Sequence, residues 1–193
     1  MTKIANDLES RLDAIARAGF KFSCNTDAKG VTVAWCKLSD RADLLPLATL
    51  LKTLDARLST VTAFQPKAIE VPPPKEGEAP PPVSETPIDG KTYEIAYHFD
   101  LDGDTLTLSV LVPVGGAVDS LTGLYRNADW NEREFMEFYN IGVNGHPDPR
   151  RLFLDPSIDG AVLERLIPFS TLINSATTKG LWEKLFAQKG SPT

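Results

Sequence analysis

Cysteine and histidine are scarce in this sequence, with two residues of each among 193. A structural zinc or an iron–sulfur cluster takes four ligands, so Cys24 and Cys36, which are not part of a CxxC motif, cannot supply such a site. The sequence also lacks a glycine-rich phosphate loop and a Ser-His-Asp or Cys-His arrangement. These absences argue against a metal or cofactor held by this chain and against a nucleophilic enzyme.

Long hydrophobic runs and an excess of basic residues are missing too. The longest nearly uninterrupted apolar run, residues 110–118, is broken by Pro113 and two glycines and is far too short to span a bilayer. The net charge is −6 and the pI is about 5.0, whereas nucleic acids and anionic membrane surfaces select basic patches. The N-terminus has no cationic start followed by an apolar block, so no signal peptide is expected. We therefore expect a cytosolic protein that does not bind nucleic acid.

What is present is an ordinary globular composition, 42% hydrophobic and 24% charged, enough for one domain with an extension. Apolar residues at helical spacing predict a first helix over residues 3–18, ended by Gly19. A second run of leucines, from Leu44 to Leu58, predicts a second helix, and residues 60–65 are expected to form a short strand.

Alternating apolar residues between the two helices predict a first β-hairpin. The alternation would pair Phe20 with Trp35, Phe22 with Val33 and Cys24 with Val31. Cys36 would then point to the face opposite Cys24, because side chains alternate along a strand. Both cysteines are therefore expected to be reduced, structural thiols.

A proline-rich segment, residues 66–87, interrupts the pattern with eight prolines among Glu and Lys. Such a composition cannot build a core and predicts an extended or disordered insertion. It is either a tolerated surface insertion or a strap that binds aromatic-grooved domains, and in the second case the chain would be a stand-alone adaptor.

A second β-hairpin follows the insertion. Asp102-Gly103 is typical of a two-residue type I′ turn, and it pairs Phe99 with Leu106 and Tyr97 with Leu108, with apolar residues in every pair of that face. His98 lies on the other face. The element order predicts an α+β fold with helices packed on a mainly antiparallel sheet, followed by an extended helical C-terminal arm. The expected divisions are residues 1–65, the insertion 66–87, the hairpin and a charged segment over 88–154, and the arm 155–193.

The charged segment spans residues 130–151, WNEREFMEFYNIGVNGHPDPRR. Asp129 and Glu132 resemble a capping box that starts a helix from Trp130 to about Tyr139, with Asn140 and Gly142 near its end. Arg133 and Glu137 are spaced to pair on the helix surface.

The segment allows two functional interpretations. Glu134, Glu137 and His146 could bind a metal in a small metal-dependent hydrolase, although the nearby arginines are more natural partners for the carboxylates. Alternatively, arginines, adjacent aromatic residues and a Pro-fixed loop are typical of protein interfaces.

The motif favours the second interpretation through a family resemblance. ERE at 132–134, then Glu137, Phe138-Tyr139, His146, Arg150 and Leu152 resemble the signature of the 30-kDa subunit family of respiratory complex I. The upstream hairpin YHFDLDGDTLTLSVLVPV, the Ser120-Leu121-Thr122 run and the Ala-Asp-Trp before the helix fit as well. The proline-rich insertion and the sequence after Arg151 depart from complex I members, and the latter looks closer to the equivalent subunit of Ech-type, energy-converting membrane-bound [NiFe] hydrogenases.

The resemblance implies a non-catalytic scaffold subunit in the hydrophilic arm of an ion-translocating oxidoreductase, either such a hydrogenase or NADH:quinone oxidoreductase. It implies no cofactor in this chain, with the [NiFe] centre and the iron–sulfur clusters held by partner subunits. The implied partners are the large catalytic subunit and the small iron–sulfur subunit, with indirect attachment to the membrane subunits at the cytoplasmic side of the cell membrane. The implied interface and loop-fixing residues are Trp130, Glu132, Arg133, Glu134, Glu137, His146, Asp148, Arg150 and Arg151. Trp182, in a predicted tail helix, is either a further docking residue or packs on its own domain.

Overall fold

The computed structural model describes residues 7–66 and 90–157. The chain divides into two compact units, residues 1–153 and 154–193, and the elements described below all belong to the first. In chain order they are α1 Leu8–Asp13, β1 Phe20–Thr26, β2 Thr32–Leu38, α2 Leu44–Thr53, β3 Arg57–Phe64, β4 Thr92–Leu101, β5 Asp104–Pro113, β6 Ala117–Asp119, α3 Ala128–Tyr139 and β7 Gly142–Asn144. Most of the proline-rich insertion, most of the C-terminal arm and Trp182 lie outside the described residues.

A five-stranded sheet forms the centre of the first unit. Its strand order is β1-β2-β5-β4-β3, and every neighbouring pair is antiparallel except β2 and β5, which run parallel. The short strands β6 and β7 form a separate parallel pair. The expected α+β fold on a mainly antiparallel sheet is confirmed.

The β4–β5 hairpin has the predicted register. Phe99 faces Leu106 and Tyr97 faces Leu108, and all four of these side chains are buried. The turn residues Asp102 and Gly103 have φ angles of 56° and 95°, as a type I′ turn requires. Apolar pairs on one face and a fixed turn length leave a single register that buries the whole face.

The predicted β1–β2 register is wrong by three residues. Phe22 faces Cys36 and Cys24 faces Ala34, so the two cysteines lie on the same face of the sheet rather than on opposite faces. The turn is longer than expected because the Asp27 carboxylate accepts hydrogen bonds from the N–H groups of Lys29 and Val31.

The alternating apolar residues of β2 do not face the core. Val31, Val33 and Trp35 point away from the core, and the Trp35 side chain is 49% exposed, whereas Ala34 and Cys36 are buried. The alternating apolar residues of β2 thus lie on the open face of the sheet. Both cysteines are free thiols, Cys24 exposed and Cys36 buried.

The first two helices are shorter than predicted. Helix α1 ends at Asp13 rather than near residue 18, because the Asp43 carboxylate binds the N–H groups of Arg17 and Ala18. Helix α2 ends at Thr53, and Leu58 belongs to β3 instead of extending the helix. The predicted strand at 60–65 therefore begins three residues earlier, at Arg57.

Buried leucines and aromatic residues join α1, α2 and one face of the sheet into a single core. Leu12, Leu44, Leu47 and Leu51 are fully buried there, and the last three follow the spacing that marks one helical face. Among the described residues, no helix combines the length and apolar character needed to cross a membrane.

Candidate functional site

Helix α3 positions the charged segment. It runs from Ala128 to Tyr139, two residues earlier than predicted at its start, and it packs against β3. Phe135 is buried beneath it. Asn140 ends the helix in the left-handed conformation at φ 51°, so the predicted C-terminal end is confirmed.

Glu132 forms a buried hydrogen-bond centre. Its side chain is fully buried, and its carboxylate accepts hydrogen bonds from Ser120 Oγ at 2.6 Å, Leu121 N at 2.7 Å and Thr122 Oγ1 at 2.9 Å. The predicted capping box is therefore wrong, because Glu132 binds the loop after β6 and not the start of its own helix. Three donors satisfy a carboxylate that would otherwise be costly to bury.

His146 extends this buried centre into the following loop. Its Nδ1 atom accepts a hydrogen bond from Asp148 N at 3.0 Å, which leaves the hydrogen of a neutral ring on Nε2. The Nε2 atom lies 3.3 Å from the Asp129 carbonyl oxygen, 3.5 Å from Asp129 Oδ1 and 3.7 Å from Glu132 Oε2. The imidazole thus joins the start of α3 to the loop that contains residues 146–153.

Arg133 fixes the far end of that loop. Its Nε and Nη2 atoms donate to the carbonyl oxygens of Arg150 and Arg151 at 2.8 and 2.9 Å, and its Nη1 atom lies 3.7 Å from Asp148 Oδ2. The surface pair of Arg133 with Glu137 stays a prediction. A planar guanidinium with several fixed donors suits this role in a way that an ammonium does not.

Glu137 binds the same loop from the next helical turn. Its Oε2 atom accepts hydrogen bonds from the N–H groups of Leu152 and Phe153, both at 2.8 Å. Arg133 and Glu137 therefore hold consecutive backbone groups of the loop, one through carbonyl oxygens and the other through N–H groups.

Asp148 and Arg150 form a two-point ion pair on the exposed side of the loop. Arg150 Nε and Nη2 donate to the two carboxylate oxygens of Asp148 at 2.7 and 2.6 Å. The hydrogen bonds from Arg150 hold the pKa of Asp148 well below its usual value, and the same pair raises the pKa of Arg150. Both groups are charged at neutral pH.

Aromatic side chains project outward around this framework. Trp130 is 70% exposed, Phe138 is 42% exposed and Phe153 is 58% exposed. The Phe138 and Phe153 rings meet edge to face with centroids 5.5 Å apart. Trp130, Glu134 and Phe138 follow one another at four-residue spacing and so share one face of α3. We call Trp130, Glu134, Phe138, Arg150 and Phe153 the α3–loop surface.

The structure separates the predicted site residues into two groups. The first group is buried or partly exposed and holds loops: Glu132 fixes the loop after β6, and His146, Arg133, Glu137 and Asp148 hold the loop over residues 146–153. Trp130, Glu134, Arg150 and Arg151 are exposed. Sequence reasoning did not assign roles to Ser120 and Thr122, although the hydroxyl residues on either side of Leu121 were a visible signal, and it did not include Phe153.

The hypothesised metal ligands are not brought together. His146 contacts Asp129 and Glu132, whereas Glu137 binds the backbone of residues 152 and 153. Across residues 7–66 and 90–157 there is no group of three or more His, Cys, Asp or Glu side chains that could hold a metal ion. The second histidine, His98, lies between Thr62 and Thr107 on the open face of the sheet, and burial lowers its pKa.

Comparisons with known proteins identify C subunits of NADH-quinone oxidoreductase as relatives. The C subunit of NADH-quinone oxidoreductase from Phenylobacterium zucineum is 33% identical over 82 residues, which are 42% of this chain and 39% of that relative. The corresponding protein from Rhizobium rhizogenes is 35% identical over 78 residues, 39% of each chain, and that from Rhodopseudomonas palustris is 35% identical over 83 residues, 42% of this chain and 41% of the relative. The chain spans about two fifths of the length of these curated relatives.

A chain of one solved structure also matches, that of the membrane-bound sulfane sulfur reductase, an archaeal respiratory membrane complex. The match covers 87% of this chain and 89% of the other at 10% identity, with a TM-score of 0.49. The family described as the 30 Kd subunit of respiratory-chain NADH dehydrogenase matches residues 38–171. That match contains β3, both strands of the second hairpin and the whole α3–loop surface, and the chain belongs to this family.

Proposed function

We propose that this chain is a non-catalytic scaffold subunit in the hydrophilic arm of a membrane-bound, ion-translocating oxidoreductase. The observation that carries the proposal is the α3–loop surface. Its aromatic side chains and its arginine are exposed, and the hydrogen bonds of Glu132, Arg133 and Glu137 hold the backbone around them. Family membership supports it, because the relatives are named as subunits of an oxidoreductase.

The chemistry of this surface suits a partner protein. Tryptophan and arginine are enriched among the residues that dominate binding energy at interfaces, and exposed phenylalanines add apolar area. Rigidity also favours association, since a loop that is already ordered loses less conformational entropy when it binds. The contacts of Glu132, Arg133 and Glu137 order the loops around α3 before any partner arrives.

Two side chains of the charged segment that could have been reactive, Glu132 and His146, make structural contacts. His146 has its Nδ1 atom occupied by a backbone N–H group, and Glu132 accepts three hydrogen bonds in a buried position. Both side chains are fully buried, so a substrate could reach them only if the loop moved away. The partners implied for such a scaffold are a large catalytic subunit and a small iron–sulfur subunit, with peripheral attachment at the cytoplasmic side of the membrane.

Two host complexes remain candidates, and a different observation favours each. The sequence after Arg151 resembles Ech-type [NiFe] hydrogenases, in which electrons from ferredoxin reduce protons. The curated relatives are C subunits of NADH-quinone oxidoreductase, which favours a complex I host. In both candidates the role of this chain as a scaffold is the same.

A native pull-down from detergent-solubilised membranes through a tag on this chain tests the proposal. Nickel and hydrogen evolution in the purified complex would identify a hydrogenase, and NADH-dependent quinone reduction without nickel would identify a complex I host. Recovery of the chain without stoichiometric partners would contradict the scaffold role in either complex.

A further inference from the structure

A cavity of about 430 Å³ lies where the end of α2, the start of β3 and the segment before α3 meet. This volume falls within the range of small-molecule sites. None of the residues of the α3–loop surface lines it. The lining consists of Lys52, Asp55, Ala56, Arg57, Leu58, Leu124, Tyr125, Arg126 and Asn127.

Three cationic side chains and a single carboxylate line this cavity, in a chain whose net charge is −6. Lys52, Arg57 and Arg126 come from three different segments and are all exposed. In the described part of the chain, none of the three forms an ion pair within 4.0 Å of a carboxylate. Converging cations repel one another unless an anion lies between them, so the cluster favours an anionic ligand.

The backbone around the cavity is fixed by local contacts. The Asn127 amide donates to the Leu58 carbonyl oxygen at 2.6 Å and joins the start of α3 to β3. Asp55 adopts a left-handed conformation at φ 57°, and Ala56 N then bonds to the Leu51 carbonyl oxygen at 3.0 Å, which sets the sharp turn into β3.

Lys52 is held over the cavity wall by an aromatic ring. Its Nζ atom lies 4.8 Å from the centroid of Tyr125, a cation–π distance. The Tyr125 ring in turn packs edge to face on Phe99 in the core, with centroids 5.4 Å apart. Burial raises the pKa of the Tyr125 phenol to about 12, so the wall under the ammonium group is a neutral ring at physiological pH.

We propose that this cavity binds a small phosphate-bearing molecule. The guanidinium groups of Arg57 and Arg126 can each offer paired N–H donors to phosphate oxygens, and Lys52 adds a third charge. Leu58, Leu124 and Ala56 supply an apolar wall for the organic part of the ligand. The phosphate can belong to a soluble ester or to the headgroup of an anionic phospholipid. The proposal does not depend on which complex contains the chain.

The test uses the full-length chain and a charge-matched control. Isothermal titration with pyrophosphate measures binding of a soluble phosphate, and co-sedimentation with phosphatidylglycerol vesicles, compared with phosphatidylcholine vesicles, measures binding of a lipid headgroup. Arg57→Gln/Arg126→Gln removes two of the three cavity cations. Arg17→Gln/Lys29→Gln removes two exposed cations that do not line the cavity.

We expect each chain either to bind one pyrophosphate or to bind saturably to phosphatidylglycerol vesicles. The cavity double variant should weaken that binding by about tenfold or more, since each charge-assisted hydrogen bond contributes more than a neutral one, while the control double variant stays within about twofold. Pyrophosphate binding identifies a soluble ligand, and binding to vesicles alone identifies a headgroup. Absence of binding to both probes, or equal weakening in both double variants with unchanged circular dichroism, would overturn the proposal.

Discussion

Glu132 is the residue on which the loop after β6 depends. Replacing Glu132 with Ala removes the acceptor for three donors, and the buried Leu121 N–H group has no access to water as a substitute. We expect the free energy of unfolding to fall by on the order of 3 kcal/mol, because buried unsatisfied donors retain their full desolvation cost. Urea unfolding of the full chain measures this change.

Glu134 supplies the control on the same helix. Its side chain is exposed, so Glu134→Ala should change the free energy of unfolding by no more than about 0.5 kcal/mol. Similar losses in the two variants would show that Glu132 is not the centre of the network.

The two cysteines should differ sharply in reactivity. Burial, with a smaller contribution from Glu9, raises the pKa of Cys36 to about 12, so its reactive thiolate is almost absent at neutral pH, whereas Cys24 is exposed. Titration with Ellman's reagent should modify one thiol in the native chain and two in urea. Cys24→Ser should abolish the native reaction, and rapid modification of that variant would contradict the assigned burial of Cys36.

Sequence reasoning succeeded at residues whose role is local. The Asp102-Gly103 turn and the helix-ending Asn140 follow from backbone preferences that neighbouring residues do not alter. The role of Glu132 could not be read in the same way. Its partners lie 10 to 12 residues earlier and reach it only because the chain turns back after β6.

At the scale of elements, hydrogen bonds from Arg133 and Glu137 join α3 to the loop over residues 146–153. Arg133→Lys keeps the positive charge but removes the fork that holds two consecutive carbonyl oxygens. The loop should then open more often, and hydrogen exchange at the N–H groups of Leu152 and Phe153 should accelerate by about tenfold, the effect of losing one hydrogen bond.

Exchange in β5 provides the internal reference for that experiment. The N–H groups of Leu106 and Leu108 lie in the centre of the sheet and should exchange at unchanged rates. Acceleration at both places would mean that the whole domain is destabilised, and unchanged exchange at Leu152 would mean that Arg133 does not fix the loop.

The two hairpins show what limits prediction of elements. In β4–β5 the two-residue turn and the buried apolar pairs both require the same register. In β1–β2 the Asp27 side chain lengthens the turn, and the apolar row that ends in Trp35 lies on the open face, so hydrophobic alternation gave a register that is wrong by three residues. Helix ends were missed for a related reason, since Asp43 ends α1 from a distant part of the chain.

At the scale of the whole molecule, Arg150 of the α3–loop surface and its neighbour Arg151 should matter for assembly and little for folding. Arg150→Ala/Arg151→Ala changes two exposed side chains, so the free energy of unfolding should shift by less than about 1 kcal/mol. The yield of intact complex in the native pull-down should fall several-fold, because arginines at interfaces contribute disproportionately to binding. Full yield and activity of the complex with this double variant would contradict the interface assignment.

The mainly antiparallel fold and the family were both accessible from the sequence. The family was recognised because its signature combines residues that the structure places together, around α3 and the loop that follows. The parallel pairing of β2 with β5 was not foreseen, since it joins strands on either side of the insertion and no local pattern specifies it.

That parallel pair has a consequence for how the chain folds. Thr32 N bonds to Asp104 Oδ1 across 72 residues, and β5 lies between β2 and β4 in the sheet. Contacts of such high sequence separation slow folding, because a large loop must close before they form. While the ribosome is still releasing the first half of the chain, β2 has no strand on its inner edge, and only emergence of the second hairpin gives the nascent chain a complete sheet.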